Sequence, residues 1–154
     1  MIVIRIKEQT LEHRRATGVR MHYPVSTATK GSGNLHGSLQ TPLGRHRIAA
    51  RIGAGLPEET IFKARRPVDA YDASIHHPDG DWILSRILWL EGEQTGVNRR
   101  GRVDTRSRFI YIHGTHREDL IGRPASHGCI RMRKRDIVDL FAHTRRHERV
   151  YIFP

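Results

Sequence analysis

RFIYIHGT, residues 108–115, is the clearest strand pattern in the chain. Ile110 and Ile112 fall on one face and Phe109, Tyr111 and His113 on the other, the period of two that a strand imposes. The run ends at His113-Gly114, so a histidine stands at the end of a strand. A loop then leads to PASHGCIRM, residues 124–132, which holds the single cysteine, Cys129. If CIRM is extended, Ile130 and Met132 enter the core while Cys129 and Arg131 share the open face, ~6–7 Å apart.

The rest of the chain reads as β structure around these two segments. MIVIRIK (residues 1–7) alternates Ile2, Ile4 and Ile6 against Val3 and Arg5, a half-buried strand. GVRMHYPVSTA (18–28) is extended, and Pro24 puts it at an edge or a bend. Residues 30–46 are rich in Gly, Ser, Thr, Asn and Pro and form a loop, after which RIAARIG (47–53) resumes as a strand. Pro57, Pro67 and Pro78 leave residues 56–80 without a clear period. DWILSRILWLEG (81–92) fits a core strand or a short helix, and its β-rich surroundings and Gly92 favour the strand. RDIVDLFAHTRRH (135–147) is the one good helix: Ile137, Val138, Leu140, Phe141 and Thr144 make its apolar face. His143, Arg145, Arg146 and His147 then occupy its last turns, the end that favours positive charge. RVYIF (149–153) closes the chain as a strand. The expected architecture is a mainly β single domain over residues 1–154, with one late α-helix and short helical turns.

With 154 residues the chain can bury a substantial core. Its 27 Lys and Arg against 16 Asp and Glu give a net charge of +11, which favours anionic partners. The basic residues are scattered singly and in pairs with no aromatic–basic repeat, so nucleic acid is not the expected partner. One cysteine makes no intramolecular disulfide. The apolar run near the start is only four residues long, too short for a signal peptide or a membrane span. As written, the chain reads as cytoplasmic; removal of a leader would make it periplasmic or wall-associated. Eleven histidines invite a metal, but His143 and His147 have no third ligand nearby in sequence, so no metal or other cofactor is expected.

The chemistry concentrates at Cys129. A cysteine attacks as its thiolate, which needs a histidine or another positive group to draw its pKa below about 8.5. His113 and His127 are both candidates, and a lone cysteine can also be a small buried hydrophobe. Gly128 lets the chain turn tightly, so the amides of Gly128 and Cys129 could point together at a developing oxyanion. Arg131 is placed to hold a substrate carboxylate.

YIHGT and, after twelve intervening residues from His113, SHGCIRM resemble the signature of the YkuD-type L,D-transpeptidases, bacterial cysteine enzymes of peptidoglycan. YPVSTATKGSGNLHGSLQTPLGRHRI, RILWLEG and DIVDLF are similar to further segments of that family, so the resemblance covers nearly the whole chain. Arg131 stands where the family pattern often has Asn, which resembles the ErfK/YbiS/YcfS/YnhG-like branch. The resemblance implies a β-sandwich. It implies Cys129 as the nucleophile that forms a thioester with the third stem-peptide residue and releases terminal D-alanine, His113 as the base and the Gly114 carbonyl as the group orienting its ring. It assigns Ser126, His127 and Gly128 to the turn and oxyanion region, and Arg131, Thr115 and Tyr23 to substrate binding. His36, Ser38, Thr41 and Pro42 lie in similar blocks and could line the cleft. Peptidoglycan stem peptides or muropeptides are the implied partners, carbapenems the implied acylating inhibitors, and a monomer the expected state. An amine resolving the thioester would give a 3-3 cross-link. Water would give a cytoplasmic L,D-carboxypeptidase that trims tetrapeptides in wall recycling. A catalytically silent module that binds anionic polymers is the reading from another class.

Overall fold

The computed structural model describes residues 1–154. Strand β1 (Ile2–Arg5) pairs in parallel with β10 (Arg149–Phe153) and antiparallel with β2 (Thr10–Arg14), which carries β3 (Arg20–Pro24) on its far side. Pro24 closes that outermost strand, where a missing N–H costs no ladder bond. From β10 the sheet continues antiparallel through β4 (Gly44–Ile52) to the ten-residue β7 (Ile83–Gly92). There it branches: one extension is the hairpin β5 (Thr60–Lys63) and β6 (Arg66–Ala70), the other β8 (Tyr111–Thr115) followed in parallel by β9 (Ile130–Arg133). The expected sandwich is therefore built from one curled sheet.

Ile2, Ile4, Leu11, Ile48, Leu88, Leu90, Ile112, Ile130, Met132 and Ile152 form the main core, closed by Ile137, Leu140 and Phe141 of helix α1 (Lys134–Ala142). Arg51 lies over the Phe141 ring, its Cζ 4.1 Å from the centroid, and donates to the Phe141 carbonyl, which ties the helix to β4.

Two local expectations are corrected, the helix end and Phe109, and two further features go beyond the sequence reading. β2, β5 and β6 had no strand signal, because β2 buries Glu12 and His13 inside polar sequence and every residue of β6 is exposed. The helix stops at Ala142: His143 caps it, and the His147 N–H donates to Ile48, turning the chain into β10 before Arg145 and Arg146 could join a helical turn. Phe109 lies outside β8, with φ +56° and half its surface exposed, so the alternation begins only at Ile110. The strand preferred over residues 81–92 is present as β7, and it is bulged: Leu84 pairs with Gly114 and Ile87 with His113, leaving Ser85 and Arg86 extra.

Candidate active site

β8 and β9 run in parallel with Ile112 opposite Ile130 and His113 opposite Arg131. Ile110, Ile112, Ile130 and Met132 face the main core. Alternation sends Tyr111, His113, Cys129 and Arg131 to the other face, beneath the β5–β6 hairpin, where Cys129 packs against Phe62, Ile87 and Tyr111. His113 and Cys129 line one cleft of ≈310 Å³ with Arg65, Asp81, Arg108, Ser126, His127 and Arg131.

The surroundings of the thiol favour its protonated form. Its sulfur accepts the Tyr111 N–H at 3.3 Å and its S–H faces the Phe109 carbonyl at 3.5 Å. Burial pushes the Cys129 pKa up to about 11, with Asp81 adding to the rise and the Tyr111 amide, Arg131 and Arg108 opposing it. Desolvation, and not a neighbouring histidine, is the largest influence on this thiol. His113 is also neutral: burial draws its pKa down to about 4, although the Gly114 carbonyl and Asp81 work the other way. Its Nδ1–H donates to the Gly114 carbonyl at 2.7 Å, which leaves Nε2 with the lone pair. Gly114 must be glycine here, since a β-carbon would sit 2.8 Å from the Leu84 carbonyl and from Ser85 Oγ.

The turn before Cys129 is held from two sides. Ser126, fully buried, donates through Oγ to the Cys129 carbonyl at 2.6 Å and accepts the Gly128 N–H at 3.2 Å. Thr41 donates to the Gly128 carbonyl at 2.9 Å and accepts the Ala28 N–H at 3.0 Å, joining the glycine-rich loop to the turn. Gly128 has φ +134°, and a β-carbon there would meet Ile110 Cδ1 at 3.2 Å. The idea that both amides converge on an oxyanion is corrected: the Gly128 N–H is taken by Ser126, and only the Cys129 N–H has no protein acceptor.

Arg131 is the second correction. It is only 9% exposed, with Nη2 on Asp81 Oδ1 at 2.8 Å and Nη1 on the Ala125 carbonyl at 3.2 Å, so its charge is spent inside the protein. His127 stands at the rim, 3.7 Å from the other Asp81 oxygen. Tyr23 lies away from the cleft, its hydroxyl on Asp139 of α1, and buried Thr115 accepts the Arg117 N–H through its Oγ1. Of the loop residues considered for the cleft, Ser38 accepts from Arg108 and the exposed His36 donates its N–H to Arg102. Sequence reasoning missed Asp81, Arg108 and Arg65. Asp81 sits fifty residues from its partner, in a stretch broken by prolines, and no local pattern marks it.

The family model for the YkuD L,D-transpeptidase catalytic domain matches residues 1–152. No curated protein matches the chain. Among solved structures, an L,D-transpeptidase from Mycobacterium smegmatis aligns with a TM-score of 0.57 and 15% identity, over 99% of this chain and 58% of that one. L,D-transpeptidase 3 from Mycobacterium tuberculosis, in complex with a faropenem-derived adduct, gives 0.59 and 17% over 99% and 59%. A mutant of the Enterococcus faecium L,D-transpeptidase gives 0.58 and 13% over 99% and 48%. The chain thus spans less than 60% of the length of these three structures, and at such identities their likeness concerns the fold. The match over nearly the whole length, on a chain whose cysteine and histidine meet in one cleft, makes this protein a member of the YkuD family of L,D-transpeptidase catalytic domains.

Proposed function

We propose that this chain catalyses acyl transfer on peptidoglycan stem tetrapeptides through a thioester on Cys129. The observation that carries the reading is that Cys129 and His113 line one cleft, with His113 Nδ1 bonded to the Gly114 carbonyl so that Nε2 is free to take a proton. As Sγ adds to the carbonyl of the third stem residue, the Cys129 proton passes to His113 Nε2, and the Cys129 N–H donates to the oxyanion. Collapse expels the terminal D-alanine, whose amine takes the proton from His113, and leaves the thioester. An amine or water then attacks with the same ring as base. Asp81 is the carboxylate that offsets the transient imidazolium, and Arg131 keeps Asp81 in place. Arg131, two residues after the nucleophile, supports assignment to the ErfK/YbiS/YcfS/YnhG-like branch.

One observation favours water as the acceptor. Arg131 is offset by Asp81, while Arg65 and Arg108, which also line the cleft, have no carboxylate partner, so an acceptor arriving as an ammonium meets like charge. Incubation with a disaccharide tetrapeptide, with products weighed by mass spectrometry, tests both routes. Tripeptide alone marks the carboxypeptidase and 3-3 dimers the transpeptidase. Neither product, with Cys129→Ala indistinguishable from wild type, overturns acyl transfer.

A further inference from the structure

The cleft holds three guanidiniums, and two are consumed internally. Arg131 is committed to Asp81 and Ala125, and Arg108 donates to the carbonyls of Gly33 and Gln40 and to Ser38 Oγ. Arg65 differs. Its one hydrogen bond runs from Nη1 to the Tyr111 hydroxyl at 3.1 Å, and no carboxylate lies within ion-pair distance, so four of its five N–H donors are unused. Its guanidinium is nevertheless held in place, 4.8 Å from the Trp89 ring centroid and 5.0 Å from that of Phe109.

The backbone that presents this group is strained. Ala64 and Arg65 form the two-residue turn of the β5–β6 hairpin with φ +47° and +64°, where Asn-Gly is the comfortable pair. Phe109, which supplies one of the two rings, also has φ +56°. Left-handed backbone at a bulky residue persists only where the surroundings enforce it, and such sites gather at ligand clamps. Tyr111 links this group to the chemistry: its backbone N–H touches the Cys129 sulfur while its hydroxyl touches Arg65.

We propose that Arg65 is the carboxylate anchor of the cleft, binding the terminal carboxylate of the acyl-donor peptide. This rests on the acyl-transfer reading for the identity of the peptide, because the residue released there carries its carboxylate one position beyond the scissile carbonyl, ~3.8 Å further along the chain between successive Cα atoms. Tyr111 turns the guanidinium and the two aromatic rings limit its motion, so the anchor is preorganised. It takes the role that sequence alone gave to Arg131.

The test measures binding to the full chain carrying Cys129→Ala, by calorimetry, with a tetrapeptide ending in free D-alanine and with its C-terminal amide. The free acid should bind on the order of 10- to 100-fold more tightly than the amide. Arg65→Ala should erase that difference by weakening the acid alone, and Arg65→Lys should restore part of it. In the Cys129 enzyme, Arg65→Ala should raise KM for the acid with little change in kcat. Equal binding of acid and amide, no binding of either, or a preference that survives Arg65→Ala overturns the anchor. An Arg65-dependent preference with no turnover by wild type would instead keep the anchor and overturn acyl transfer.

Discussion

Acid should unfold this protein through two histidines, one of which belongs to the candidate site. His113 and His46 are both buried, each with Nδ1 on a backbone carbonyl, at Gly114 and Gly44, and burial holds each ring at about 4 instead of 6.5. The folded state therefore refuses a proton that the unfolded chain accepts. Stability is complete above pH 6.5 and is lost as the pH falls from 6.5 towards 4. At ~1.4 kcal/mol per pH unit, the displacement amounts to about 3 kcal/mol for each ring, against a total of roughly 5–15 kcal/mol for a domain. For a chain of this size that is roughly 6–12 °C of melting temperature per histidine. Glu148, held down at about 2 by His13 and the terminal amine, works in a separate window, contributing above its ordinary value and failing only as the pH falls towards 2. Urea unfolding followed by tryptophan fluorescence at half-unit steps from pH 7.5 to 4.5 reads the loss directly. His46→Gln, which removes one ring and leaves the cleft alone, should halve the slope whatever it does to stability at pH 7.5. A midpoint that stays constant across this range, or a slope unchanged in His46→Gln, would refute the reasoning. In the same range the base stays unprotonated, so activity lost on acidification should track unfolding.

The raised pKa of Cys129 predicts slow alkylation: at pH 7.5 iodoacetamide should label it roughly two orders of magnitude more slowly than a free cysteine, and Asp81→Asn should speed the reaction, both followed by mass. Labelling of wild type as fast as a free thiol would contradict the protonated resting state. Gly128→Ala should cost about 1–3 kcal/mol in chemical denaturation and lower turnover, because it combines φ +134° with a contact on Ile110; a variant as stable and active as wild type would show that the turn tolerates a β-carbon.

Much of the site was legible because it is written in local patterns. Alternation in 110–113 and 130–132 fixes which side chains leave the core, so Cys129 and Arg131 could be put on one open face, while the place of His113 beside them waited for the pairing of β8 with β9. The family motif added the spacing between the two strands. Tyr23 and Thr115 were misjudged for the opposite reason. Their positions in the motif blocks carry no information about direction, and each turns towards a neighbour of its own, Asp139 or the Arg117 amide.

By itself, the sequence determined the β architecture, the late helix and the candidate nucleophile and base, since periods of two and 3.6 and a short motif are properties of contiguous residues. Only the tertiary structure decided the charge state of the cleft and the use of each arginine. Asp81 reaches Arg131 across fifty residues and Arg65 reaches Tyr111 across forty-six, and these pairings exist only once the segments that carry them are brought together by the folded sheet. Burial, which sets the Cys129 thiol high and the His113 ring low, is likewise a property of the assembled chain, because desolvation depends on everything packed around a group and not on its neighbours in sequence.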